Sequence, residues 1–360
     1  MARSFATAIY SPTRTQWTDS FYYQPVDELP VLAGDTTLTE TRNHHISTTG
    51  RNYLQLRTYT ANNWNSLTAQ IPFTYPFDLY SEYDSSYFVD TYPYPTAYTK
   101  TTWNLSAGGT LSNGTSHAWF NDLRPENAFR NNAGTFLENK ASGDRHTIMW
   151  AETNNELVES TGYTTSGGPY AENVVTWDLS TTTLPGSAGP TAPGVIAARI
   201  PLAPLLFNYA DLVAAGGGDL GHMVGWVAHD YQNSNVWPAR WKDGAQANGL
   251  PNGSIIRLKS DFNVAALPNE PLRAFARTLK KYGAILYDRN LNNAVFGVPS
   301  DNSWPTNFGT NALTFDSFER VDMSSVAGSV NSIAVASVTP PVATKGGLDI
   351  LAERITALEP

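Results

Sequence analysis

The chain reads as an all-β protein, and its composition together with a run of alternating segments carries that reading. Charged residues fill only 15% of its 360 positions, whereas Trp, Tyr and Phe supply 12%. Thr, Ser, Asn and Gly, rather than Lys and Glu, make up the polar remainder. Thr and aromatic side chains suit a pleated, half-buried surface, while Asn, Gly and Pro suit the turns between strands.

Taken in order, residues 1–45 read as an extended N-terminal arm or edge strands, because Pro, Thr and aromatics mix in FYYQPVDELPVLAG. His44 and His45 are adjacent; on a strand they would point to opposite faces and could not chelate one ion together. Tyr53, Gln55, Arg57 and Tyr59 alternate as a strand does. The strongest aromatic concentration follows at 78–98, where Pro93 and Pro95 exclude both a helix and a central strand. Segments 106–116 and 131–143 are polar loops.

From residue 144 the pattern tightens. DRHTIMWAETNNELVESTGYT predicts a hairpin turning at Asn154 and Asn155. VVTWDLS, HMVGWVAHD, SIIRLKSDF and AILYDRN are further strands. One embedded helix is expected at about 269–282: Asn269 caps it, Pro271 sits in its first turn, Lys280 and Lys281 complement its C-terminal dipole, and Gly283 stops it. Its apolar stripe is Leu272, Phe275, Ala276 and Leu279. The β domain therefore spans 46–325. Residues 326–360 read as a small-residue linker followed by the start of a short amphipathic C-terminal helix bearing Leu348, Leu351, Ile355 and Leu358.

The net charge of −9 and the absence of a basic stripe argue against a nucleic-acid partner, since phosphate binding draws on clustered Lys and Arg. There is no cysteine, which excludes disulfides, thiolate metal sites and cysteine nucleophiles. No cofactor and no specific metal site is expected, since there is no P-loop, dinucleotide fingerprint, H-E-x-x-H or EF-hand spacing, although the Asp- and Asn-rich loops leave an oxygen-ligand calcium site open. No apolar run reaches the length of a membrane span, and MARSFATAIYSPTRTQW lacks the apolar core of a secretory signal. A β protein of this kind working outside a cell without such a signal suggests release by lysis, as virion proteins are released.

Two kinds of site are conceivable. A glycosidase needs two carboxylates across a cleft, and Asp144, Glu152, Glu156 and Glu159 are available. A polysaccharide lyase needs a charge neutraliser with a His or Tyr base, and Arg145, His146, His222, Arg240 and Tyr209 could be cast. From these, His146, Glu156, His222 and Arg240 are the catalytic candidates, although no spacing is diagnostic and catalysis is the less favoured reading. A buried histidine tying a loop to a carbonyl is the plainer account of His146 and His222. Alternatively, exposed aromatics form a sugar-stacking or partner-gripping surface. Tyr92, Tyr94, Trp237 and Trp241 are its candidates, with core or inter-subunit packing as the plainer alternative.

The block from about 70 to 323 resembles a group of β-rich minor tail proteins of phages infecting actinobacteria, with relatives among secreted bacterial proteins. The resemblance rests on Asp144, Arg145 and His146; on Glu156; on Gly221 and His222; on the Trp237, Pro238, Ala239, Arg240 run; on Arg257, Leu258 and Lys259; and on Lys281, Tyr282 and Gly283. The chain departs from that pattern at Leu212 and Trp241. The resemblance implies a jelly-roll or concanavalin-like β-sandwich in a tail tip or fibre. It also implies a homo-oligomer or assembly with other tail proteins, with host cell-wall glycan as a further partner. The location would be the virion or an extracellular surface, with no membrane insertion.

Overall fold

The computed structural model describes residues 17–54, 173–207, 209–289 and 308–336, together with residue 305 and short strands at 103–104, 109–110, 116–117, 147–151, 156–161, 170–171 and 295–296. These residues form a β-rich structure built on a mixed sheet with few helices.

The central sheet contains β8 (Val224–Ala228), β11 (Ile255–Leu258), β12 (Ala284–Arg289), β13 (Val295–Phe296) and β14 (Phe318–Arg320), in the order β13-β8-β12-β11-β14. β8 and β12 pair in parallel and the other neighbours are antiparallel. Both faces of this sheet are covered, so β8 and β11 are buried at every position. That is why these strands read as continuous apolar runs rather than alternating ones.

Between β11 and β12 the chain forms α3 (Glu270–Lys281). Asn269 caps it by accepting the Leu272 N–H at 2.9 Å, as the sequence predicts. Leu272, Phe275 and Leu279 pack with Val224, Trp226, Ile256 and Leu286, and burying each contributes roughly 1.5–3 kcal/mol. Gly283 ends the helix at φ +73; a Cβ there would lie 2.6 Å from the Ile256 carbonyl, so glycine is required both for its backbone conformation and for space. A second helix, α2 (Tyr209–Ala215), packs against α3.

The opposite face of the sheet, bearing Val227, Ile255, Ile285 and Tyr287, packs on segment 195–206 and on Val175 and Trp177. The last two belong to β7 (Asn173–Asp178), which pairs with β5 (Glu156–Thr161) and through it with β4 (Thr147–Ala151) in an antiparallel three-stranded sheet. The hairpin expected over 144–164 is thus present, with Ala151 opposite Glu156. β1 (Trp103–Asn104) pairs with β6 (Tyr170–Ala171), and β2 (Gly109–Thr110) with β3 (Ser116–His117), also antiparallel. Two further short strands, β9 (Gln232–Asn235) and β10 (Pro251–Asn252), run parallel beside the central sheet.

Three expectations are corrected. Residues 17–45 are not an extended arm. Trp17, Phe21, Tyr22 and Val26 are buried, the Tyr22 hydroxyl donates to the Pro201 carbonyl at 2.7 Å, and the Val26 N–H donates to the Lys281 carbonyl at 2.6 Å. Residues Thr37–Thr49 form a helix, α1, ended by Gly50 in the left-handed region. His44 and His45 therefore lie on a helix rather than a strand. α1 carries almost no apolar residues; its buried positions are Thr41 and His45, one helical turn apart. Residues 326–336 are not a free linker either: Val326 and Ile333 are buried, and the Ile333 carbonyl accepts the Phe21 N–H at 2.9 Å. The C-terminal helix expected near 347–360 lies outside the described residues. Among the described residues no helix is long and apolar enough to cross a membrane.

Candidate functional site

Segment 194–206 bridges the central sheet and the three-stranded sheet, and four buried charged side chains, Glu159, Asp288, Arg199 and Arg240, gather along it. At one end stands Glu159 of β5, fully buried. Its Oε1 accepts the backbone N–H groups of Leu202 and Ala203 at 2.8 and 2.7 Å, and its Oε2 accepts the indole N–H of Trp177 at 2.9 Å. Burial pushes its pKa up to about 7, against the three hydrogen bonds that favour the charged form.

In the middle, Asp288 accepts the Ala197 N–H at 3.1 Å. The pairing of β12 with β8 shifts register between Leu286 and Asp288, a bulge with Tyr287 as the extra residue.

At the other end lie two arginines. Arg199 is held at φ +54, the one described non-glycine residue in the left-handed region, a conformation that costs an L-residue about 1–2 kcal/mol. Its Nη1 donates to the Gly194 carbonyl at 2.7 Å. Gly194 fits because the Arg199 backbone crowds it: a Cβ would lie 2.7 Å from the Arg199 Cα. Arg240, only 2% exposed, donates from Nη2 to the carbonyls of Pro185 and Gly186 at 2.9 and 2.6 Å and to Asn331 Oδ1 at 3.3 Å. Its Nε and Nη1 reach no hydrogen-bond partner. Buried donors left unmatched cost about 1–3 kcal/mol each, more on a charged group. Burial, and then the neighbouring Arg199, lower the Arg240 pKa to about 10, so the group stays protonated at neutral pH.

The sequence candidates distribute as follows. His222 is buried, with Nδ1 2.8 Å from the Met223 carbonyl. A carbonyl only accepts, so Nδ1 carries the proton; burial holds the ring pKa down to about 4. This is the loop-tying role. His222 and Arg240 share no partner, so the structure does not join them in one constellation. Glu156 sits at the start of β5 opposite Ala151 and Asp178. His146, Tyr92 and Tyr94 lie outside the described residues. Trp237 is half-buried: its indole meets Phe21 edge-on at 5.8 Å, and its N–H donates to the carbonyls of Ser329 and Ser332, each at 3.2 Å. Trp241 is half-buried, and its carbonyl accepts from the Asn252 side chain at 2.9 Å.

Glu159 was one of four interchangeable carboxylates in the sequence. Period-2 spacing puts it on one face of β5 with Leu157, and the pairing places Trp177 opposite Leu157 and so diagonal to Glu159. Arg199 has no sequence signal, because its conformation is set by segment 194–199 in its folded context.

A second group of imidazoles lies at α1. The His44 and His229 ring centroids are 5.1 Å apart, and His45 packs against Phe315 at 5.4 Å. Burial first, then His229 and Arg51, hold the His45 pKa down to about 4. Among the described residues no group of three or more His, Asp or Glu side chains is placed to hold a metal ion.

Comparison of the chain with protein-family models, curated proteins and solved structures gives no match. The reading of the site therefore rests on its own geometry.

Proposed function

We propose that the chain is a structural and adhesion component of a phage tail tip or tail fibre, packing into the virion and gripping host surface glycan. The observation that carries the preference for gripping over reacting is the engagement of Glu159. Both of its oxygens are spent on backbone and indole donors inside the core. His222 likewise spends Nδ1 on its neighbour's carbonyl. Groups held this way position loops and are shut off from substrate.

We further propose that the antiparallel part of the chain completes a jelly-roll-like sandwich. Support comes from the described strands between 103 and 178, all of which pair antiparallel.

Immunogold labelling of intact actinobacteriophage tails, mass photometry of the purified chain and retention on purified host cell-wall glycan test the reading together. Tail labelling, a symmetric oligomer and saturable retention are expected. A monomer that neither labels the particle nor binds the glycan overturns it. Release of reducing ends or unsaturated products from that glycan would instead establish the alternative, a carbohydrate-active enzyme.

A further inference from the structure

Asn248 and Asn252 each precede a glycine, and the fold treats the two pairs in opposite ways. Asn252, on β10, is fully buried; its Nδ2 donates to the Trp241 carbonyl at 2.9 Å and its Oδ1 accepts the Gly253 N–H at 3.1 Å. The same Gly253 N–H donates to the Leu286 carbonyl at 2.8 Å. Asn248 is exposed, and among the described residues neither its side-chain amide nor the Gly249 N–H has a hydrogen-bond partner. Glycine lacks the Cβ that would hinder its own nitrogen from approaching the preceding side-chain amide. A third such pair, Asn113 and Gly114, lies outside the described residues.

The exposed pair sits in a loop that moors α1. Thr41 Oγ1 accepts the Leu250 N–H at 2.8 Å, and Gln246 Nε2 donates to the Glu40 carbonyl at 3.3 Å. Gln232 of β9 fixes the same loop: its backbone N–H donates to the Leu250 carbonyl at 2.9 Å and its Nε2 to the Ala247 carbonyl at 3.2 Å. Asn248 and Gly249 lie between these moorings, and a Cβ on Gly249 would overlap Gln246 Oε1. The loop has no slack for added backbone.

We propose that Asn248 is a site of spontaneous deamidation, and that its conversion to isoaspartate loosens α1. The Gly249 nitrogen attacks Asn248 Cγ, forming a C–N bond; the Cγ–Nδ2 bond breaks, and ammonia leaves with the Gly249 proton. Water then opens the cyclic imide. Opening at Cγ yields aspartate, and opening at the main-chain carbonyl carbon yields isoaspartate, whose backbone is longer by one carbon. No oxidant or reductant takes part. At Asn252 the same attack first requires breaking the bonds to Trp241, Gly253 and Leu286, which slows it by about tenfold or more. The site is independent of the tail-protein reading and stands or falls without it.

Incubation of the full chain at pH 7 and pH 9 over several weeks, followed by peptide mapping, tests the proposal. Fragment ions place the amide-to-acid mass gain on Asn248 or Asn252 separately. Conversion at Asn248 is expected to outpace that at Asn252 by about tenfold or more, to run faster at pH 9, and to lose its lead in urea, where both pairs are free. Equal rates in the folded chain, or no conversion at Asn248, overturn the assignment; a lead that persists in urea overturns the role given to the fold. Hydrogen exchange of α1 reads the consequence. The aged wild-type chain should exchange faster over Thr37–Thr49 than fresh protein, whereas aged Asn248→Gln should not. Freshly prepared Asn248→Asp carries the new charge without the longer backbone, and should exchange as fresh wild type does. Unchanged exchange in the aged wild type, or fast exchange already in fresh Asn248→Asp, overturns the loosening of α1 by isoaspartate.

Discussion

Trp177 on β7 donates its indole N–H to the carboxylate of Glu159 on β5 at 2.9 Å, inside the core and diagonal to it across the strand pair. The same carboxylate fastens Leu202 and Ala203, so one acidic side chain joins the three-stranded sheet to the segment that underlies the central sheet.

Glu159 makes stability fall as pH rises. Its pKa is raised from its ordinary 4.5 to about 7, so the folded state holds an extra proton between those values. The contribution is fully present below about pH 4.5 and is lost as pH rises through 7, a total on the order of 3 kcal/mol. Glu159→Gln is expected to remove this contribution, so the variant gains about 2–3 kcal/mol more stability than wild type between pH 5 and pH 8. It should also destabilise the chain at pH 5 by about 1–3 kcal/mol, because its amide N–H faces the Trp177 N–H once its oxygen takes the backbone donors. Urea unfolding at pH 5 and pH 8 checks both.

His45 and His222 act with the opposite sign. Both are held down from 6.5 to about 4, so the unfolded chain binds more protons in that window and stability is lost as pH falls through it. Between pH 5 and 6 the two histidines favour unfolding by two protons and Glu159 opposes by one. Wild-type stability should therefore rise by about 1.4 kcal/mol per pH unit there, and that of Glu159→Gln by about 2.7 kcal/mol. Equal slopes in the two proteins would contradict the assignment of Glu159.

Gly225 in β8 makes room for the ring of Tyr287. A Cβ at Gly225 would lie 2.6 Å from Tyr287 Cε1 and 3.1 Å from Leu205 Cβ. Gly225→Ala is expected to cost about 1–3 kcal/mol by overpacking. Adding Tyr287→Leu should recover part of that, so a double-mutant cycle read by urea denaturation should show a favourable coupling of at least about 0.5 kcal/mol. Simple additivity would sink the argument.

The cap of α3 gives a local test. Asn269→Ala should lower stability by about 1 kcal/mol, while Asn269→Asp should hold it, since aspartate also accepts the Leu272 N–H and favours the helix N-terminus. Thermal unfolding of the three proteins distinguishes these outcomes.

α3 was legible from sequence because its cap, proline, stripe and stop all lie within fifteen residues. β4, β5, β7, β8, β11 and β12 were legible for a similar reason: each is a short apolar or alternating run bounded by turn residues. α1 was not, because a helix is recognised by its apolar stripe, and α1 buries Thr41 and His45 instead. Thr41 is useful there only because its hydroxyl accepts the Leu250 N–H at 2.8 Å, 209 residues away in the chain. The segment 17–35 misled for a similar reason: its prolines and aromatics suit an exposed arm equally well until partners such as Pro201 and Lys281 are in place.

Arg240 and His222 were catalytic candidates from the sequence, and their surroundings were not foreseeable there. Burial of a charge depends on neighbours brought together by the fold. Arg240 meets Asn331 across 91 residues and Glu159 meets Leu202 across 43.

The amino-acid pattern settled the β-rich class, the capped helix at 269–282, the hairpin after residue 144, and the net negative charge. Those depend on composition and on contacts between near neighbours. Folding in three dimensions settled the parallel β8–β12 pair, the docking of residues 17–49, and above all which charges are buried and with whom. Desolvation and long-range hydrogen bonding are properties of assembled neighbours, and no local run of residues encodes them.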